Sequence, residues 1–167
     1  MANETVQNLV VTITIKGQVI SVDGGKQDVN IFKEIAFTDG TSSNQLSQWY
    51  YDETRALAAT NEDIDVSGSA TYTDFKGTAL AMAGVRIIYA ENLDTDTGDT
   101  LTVKQPAANG VPGIMVAAGD GVTVQPGGVF LWIAPGVDLA TVTAGTGDLI
   151  NFATADTSNY KLFIGGT

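Results

Sequence analysis

The chain predicts an all-β fold: a jelly-roll-like antiparallel β-sandwich with an added N-terminal hairpin or meander. Three observations carry that prediction. Short runs of β-prone residues recur, as in Val129-Phe130-Leu131-Trp132-Ile133 and Tyr160-Lys161-Leu162-Phe163-Ile164, and such runs at near-regular spacing are how a sandwich is written. Proline and glycine punctuate them, as in Pro126-Gly127-Gly128 and Pro135-Gly136, where a type II turn wants Pro first and Gly second. Glycine reaches 19 residues while good helix formers are scarce or out of period, which favours strands over helices. With 167 residues, 44% hydrophobic and 16% charged, the chain is long enough to bury a sandwich core and too apolar for disorder. It reads as one globular domain, with residues 1–44 as a β meander or attachment arm and 45–167 as the sandwich.

Leu9 to Ile15 alternates, with Val11, Ile13 and Ile15 on one face and Thr12, Thr14 and Lys16 on the other, the period-two pattern of a half-buried strand. Gly17 is expected to break it, Gln18 to Val22 to resume it, and Asp23-Gly24-Gly25-Lys26 to turn the chain into a third run, Val29 to Phe37. From Leu46 to Ala59 a helical turn competes with a strand, because Leu46, Trp49 and Tyr50 stand at helical spacing. Ile64 and Val66 alternate with Asp63, Asp65 and Ser67, a strand with an acidic outer face. Asp74-Phe75-Lys76-Gly77 reads as a turn. After it, Leu80, Met82, Val85, Ile87 and Tyr89 form one inward set only if Ala83-Gly84 hosts a bulge that slips the alternation by one. Asp94 to Asp99 is a polar linker. Beyond it, runs around Leu101, Ile114, Val122, Val129, Ala140, Leu149 and Tyr160 bring the total to roughly eleven or twelve strands, comfortable for a jelly roll with an added hairpin.

Composition excludes whole classes of chemistry. The chain has no His and no Cys, so Ser-His-Asp and Cys-His devices, disulfides and the usual zinc sites are out. A net charge of −11 repels phosphate backbones, so no nucleic-acid partner is expected. No window approaches a membrane span, and Met1-Ala2-Asn3-Glu4-Thr5 has neither the basic nor the apolar region of a leader. Synthesis in the cytoplasm and no membrane partner are the expectation.

Three constellations remain. Asp94, Asp96 and Asp99 surround Gly98 as oxygen ligands do in calcium loops, but the bidentate Glu of such loops is missing, and a solvated loop with no metal or other cofactor is the expected reading. Asp52, Glu53, Glu62, Asp63 and Asp65 flank Arg55; paired carboxylates serve glycosidases, whereas a solvated acidic face with an ion pair is the plainer account. Trp49, Tyr50 and Tyr51 make an aromatic cluster that belongs to the core, to a subunit interface or to a sugar-stacking platform. Trp132 lies in a run apolar on both faces, which implies a second covering layer from the other half of the chain or from a neighbouring subunit. Trp49, Tyr50, Tyr51, Arg55 and Trp132 are therefore the interface candidates.

The segments Tyr51-Asp52-Glu53-Thr54-Arg55-Ala56-Leu57-Ala58-Ala59, Glu62-Asp63-Ile64-Asp65-Val66-Ser67-Gly68-Ser69, Val85-Arg86-Ile87-Ile88-Tyr89, Val124-Gln125-Pro126-Gly127-Gly128-Val129, Ala134-Pro135-Gly136 and the closing Tyr160-Lys161-Leu162-Phe163-Ile164-Gly165-Gly166 resemble a family of small virion structural proteins of tailed bacteriophages. The resemblance covers residues 45–167. It implies a non-enzymatic capsid decoration or cement protein on the virion surface, a homotrimer whose partner is the major capsid protein, with no catalytic residues to carry over. The alternative is a carbohydrate- or receptor-binding sandwich module of a phage tail or head fibre, using Trp49 and Tyr50 as its stacking face.

Overall fold

A computed structural model describes residues 8–58, 60–136 and 140–167. The first seven residues, on which the leader reading rests, lie outside the described residues. The fold is all-β, with no helix among the described residues.

The chain opens with one long antiparallel hairpin. Strand β1 (Leu9–Ile20) pairs with β2 (Lys26–Asp39) through twelve successive positions without a register shift. Gly17, expected to interrupt the first strand, pairs with Val29 and leaves the ladder intact, so the region is a two-stranded hairpin and not a three-run meander. The turn sits where the glycines require it: Gly24 adopts φ 85°, and the Ser21 hydroxyl accepts a hydrogen bond from the Gly25 amide at 3.0 Å. The short β3 (Gln45–Leu46) joins the root of β2 in parallel.

The remaining eight strands build the sandwich. They are β4 (Gln48–Ala58), β5 (Asn61–Asp65), β6 (Val85–Asn92), β7 (Leu101–Lys104), β8 (Gly121–Val124), β9 (Val129–Ile133), β10 (Leu149–Ala153) and β11 (Thr157–Gly166). They pair as a ribbon folded at its middle: β7 with β8, β6 with β9, β5 with β10 and β4 with β11. Rolling that ribbon over adds two further pairings, β7 with β10 and β6 with β11. The sheets that result are β5-β10-β7-β8 and β4-β11-β6-β9, the two layers of a β-sandwich.

Inward side chains of both sheets share one core. Ile64, Leu101, Val103, Ile150 and Phe152 from the first sheet meet Ile88, Tyr160, Leu162 and Ile164 from the second. Of the stretch where a helical turn competes, Gln48–Ala58 is strand, and Ala59 lies outside the described residues; period two, with Tyr50 packed against the core and Tyr51 exposed, wins because β11 supplies a partner along the strand.

The strand containing Ile87 departs from expectation in its parity. Leu80, Met82 and Val85 do face the main core, but so do Ile88 and Ala90, while Ile87 and Tyr89 point to the opposite side. One irregularity lies at Ala83-Gly84, as the sequence implies, where both amides donate to the Thr167 carbonyl. A second lies at Arg86: Val85 and Ile87 pair with Gly166 and Gly165, so β6 carries one residue more than β11 there and the alternation slips again. Pro126-Gly127 closes its turn as predicted, with Gly127 at φ 70° and the Gly128 amide donating to the Gln125 carbonyl at 2.8 Å. Gly136 is not among the positive-φ glycines. The predicted Ala140 and Ile114 runs are loops, the first touching Gly84 through the single bridge at Thr141.

Candidate interaction surface

The outer face of the β4-β11-β6-β9 sheet is built from three side-chain rows fixed by strand register. Trp49, Gly165, Ile87 and Ile133 make the first; Tyr51, Phe163, Tyr89 and Leu131 the second; Lys161, Glu91 and Val129 the third. Such cross-strand neighbours touch on one face of a sheet. The surface is therefore apolar at one end and charged at the other.

The hairpin seats its root on the first row. Its register puts Leu9 opposite Phe37 and Val11 opposite Ile35 on one face, and these side chains pack with Leu46 on Trp49, Ile87, Ile133 and Phe163. The Trp49 ring lies 4.5 Å from Phe75 and 6.2 Å from Phe163, centroid to centroid. Gly165 makes this possible. A Cβ there would stand 2.7 Å from Ile87 and 3.2 Å from Leu46. The root is also pinned by hydrogen bonds to the body: Asn44 donates to the Pro135 carbonyl at 2.8 Å, Ser47 to Gly166 at 2.9 Å, and buried Arg86 reaches the carbonyls of Pro135 and Thr41.

The second row is left half uncovered. Tyr51 is 52% and Leu131 36% exposed, and a groove between β1 and the body is lined by Leu9, Val11, Tyr89, Leu131 and Phe163. The Tyr89 hydroxyl donates to Glu91 at 2.6 Å; burial and then this carboxylate push its pKa up to about 12. Beyond its root the hairpin carries the same apolar face outward. Ile15 and Ile31 stand opposite each other at 54% and 52% exposure, with Val19 further out. Strands expected to be half-buried are thus exposed over their distal part.

Each interface candidate now has a place. Tyr51 belongs to the uncovered row and Trp49 to the seat of the hairpin. Trp132 faces inward and packs with Phe130 against the main core. The covering layer its strand called for is the chain's own hairpin, which covers Ile133 and leaves Leu131 and Val129 exposed. Tyr50 and Arg55 lie elsewhere, in a clasp between β4 and β5, the edge strands that border the two sheets. Arg55 grips Glu62 with two parallel bonds of 2.6 Å and touches Asp52 at 3.2 Å. Its guanidinium also donates to the Tyr50 hydroxyl at 2.8 Å and lies over the Tyr72 ring. Tyr160 donates a short hydrogen bond to the same Glu62 carboxylate. Burial pushes Glu62 up, but the bonds from Arg55 and Tyr160 and the Arg55 charge outweigh it and hold its pKa below the usual range. Burial and then Glu62 push the Tyr160 phenol up.

Three further candidate carboxylates accept hydrogen bonds. Asp63 accepts from Asn151 at 2.7 Å and Asp65 from the Ser67 amide at 2.8 Å. Asp94 accepts from the amide and side chain of Asn159, tying the 94–99 loop to β11. Partial desolvation and the charges of Asp156, Asp94 and Asp96 hold the Asp99 carboxyl above its usual range. No three such side chains among the described residues are gathered to hold a metal ion.

Sequence reading missed Phe163, Tyr89 and Leu131 as surface residues. The signal for Phe163 is present, since it shares parity with Lys161 and opposes Tyr160, Leu162 and Ile164. For Tyr89 it is masked by the second slip at Arg86. Compared with known proteins, the chain matches no family model, no curated protein and no solved structure.

Proposed function

We propose that this chain is a non-enzymatic structural component of a virion: a decoration or cement protein that stabilises the head of a tailed bacteriophage by binding the major capsid protein. The observation that carries the reading is an apolar-faced hairpin projecting from an acidic sandwich whose adjoining sheet face is left half uncovered. Large uncovered apolar surfaces on a folded chain mark assembly contacts. The body's negative charge keeps such a component off packaged DNA, and many modest contacts repeated over one shell add as avidity. A homotrimer seated at a symmetry junction presents three such bodies at once.

The test is particle stability. Heads stripped of the protein are expected to release DNA at lower temperature than decorated heads, and to recover when it is added back in hundreds of copies per particle. Heads equally stable with and without it would refute the proposal. The glycan-binding alternative needs an exposed aromatic platform at Trp49 and Tyr50, but Trp49 packs at a tilt against Phe75 and Phe163 and Tyr50 is engaged in the Arg55 clasp.

A further inference from the structure

The distal face of the hairpin and the uncovered row of the outer sheet are two halves of one contact, and we propose that they meet between copies of this chain. The arm of one copy lies across Tyr51, Phe163, Tyr89 and Leu131 of the next.

The hairpin root is the pattern for that contact. Within one copy, Leu9, Val11, Ile35 and Phe37 rest on the first row of the outer sheet. The same face of the same hairpin continues as Ile13, Ile15, Ile31, Val29 and Val19, and the sheet continues as the second row. Branched aliphatic side chains of the arm thus face an aromatic and aliphatic sheet surface in both places. The arm cannot satisfy its own sheet. Its root is pinned, its ladder runs unbroken for twelve pairs, and roughly eight rungs at about 3.4 Å carry the tip some 27 Å beyond the seat.

Exposure and charge point to the same occupant. Ile15, Val19 and Ile31 on the arm and Tyr51 and Leu131 on the sheet are all more than a third exposed, two apolar surfaces that each lack a cover. Between Leu9 and Asp39, Lys16, Lys26 and Lys33 nearly balance Asp23, Asp28, Glu34 and Asp39. Nearly all of the chain's negative charge is on the rest, so the arm is the part another copy repels least. Lys33 lies on the apolar face of the arm. The contact joins two different patches, so it propagates head to tail and closes only as a ring. It concerns copies of the chain with each other and holds whether or not they sit on a shell.

The experiment is sedimentation velocity on the full chain with two variants that keep the sandwich intact. Ile15→Glu/Ile31→Glu removes the arm's grip and leaves the sheet face; Leu131→Glu spoils the face and leaves the arm. The wild-type chain is expected to be a closed oligomer and each variant a monomer, with unchanged far-ultraviolet circular dichroism. Mixed one to one, they should form a heterodimer and nothing larger, because only one good arm and one good face remain to meet. If either variant is misfolded, Val19→Lys replaces the first and Tyr51→Lys the second. A monomeric wild type, an oligomer indifferent to both variants, or no heterodimer on mixing would overturn the proposal. None of these results depends on whether the chain binds heads.

Discussion

Glu62, on β5 of one sheet, receives three hydrogen bonds from Arg55 and Tyr160, both on the opposite sheet, which makes one carboxylate the fastening of the sandwich's open side. Replacing it with Gln keeps the shape but leaves the mostly buried Arg55 guanidinium without its charge partner. Glu62→Gln should lower the unfolding free energy by about 2 kcal/mol and the melting temperature by about 4–8 °C; a melting temperature unmoved by calorimetry would contradict the role. The same residues set the pH window. The lowered pKa of Glu62 means that its contribution is whole above the ordinary value of 4.5 and is lost as pH falls through the folded value. Tyr50 and Tyr89 run the other way. Each is pushed up to about 12, chiefly by burial, so the folded state holds the phenolic proton more tightly, and stability present below pH 10 is lost as pH rises from 10 toward 12. Denaturant melts followed by circular dichroism from pH 3 to 12 should therefore fall at both ends, and a flat alkaline limb would refute the assignment.

At the scale of elements, the hairpin and the sandwich are expected to respond separately. Phe37 is fully buried but serves only the root of the arm. Phe37→Ala should speed amide exchange across 9–39 while exchange in β6, β10 and β11 stays slow; acceleration throughout would mean that the arm is part of the cooperative core. Gly166→Ala strikes the sandwich itself. A Cβ there would stand 2.4 Å from the Gly84 carbonyl and 2.6 Å from Met82, at the bulge where β6 meets β11. Overpacking of this kind costs about 1–3 kcal/mol, and a melting temperature equal to wild type would refute the close approach. How much of this was legible depends on what sets each element. Strand existence, the turns at Gly24, Gly77 and Gly127, and the inward parity of β11 follow from local pattern and φ preference. The two-state ambiguity at Leu46–Ala59 was settled by a partner strand distant in the chain. The faces of Ile87 and Tyr89 escaped because a bulge's position is decided by the opposing strand. Trp132 announced a covering layer, but only the folded chain shows that the layer is its own hairpin and stops short of Leu131.

For the whole molecule, the pairing of the sandwich joins positions far apart in the chain: β4 meets β11 and β5 meets β10. Strand β11 stands between β4 and β6, so β4 takes its backbone partner from it and β6 one of its two. A chain ending at Asp156 should show no cooperative unfolding transition by calorimetry, and a truncated chain that still melted sharply would contradict this. The order of events during folding follows as well. The hairpin at 9–39 closes through neighbouring residues and can begin its ladder before anything downstream has folded, whereas the sandwich waits for a loop of about a hundred residues between β4 and β11 to close, a slow step. For that interval the chain carries a finished apolar arm with nowhere to seat, because Ile87, Ile133 and Phe163 are not yet assembled into a floor. Lys16, Lys26 and Lys33, spaced along that arm, then act as gatekeepers against premature strand addition.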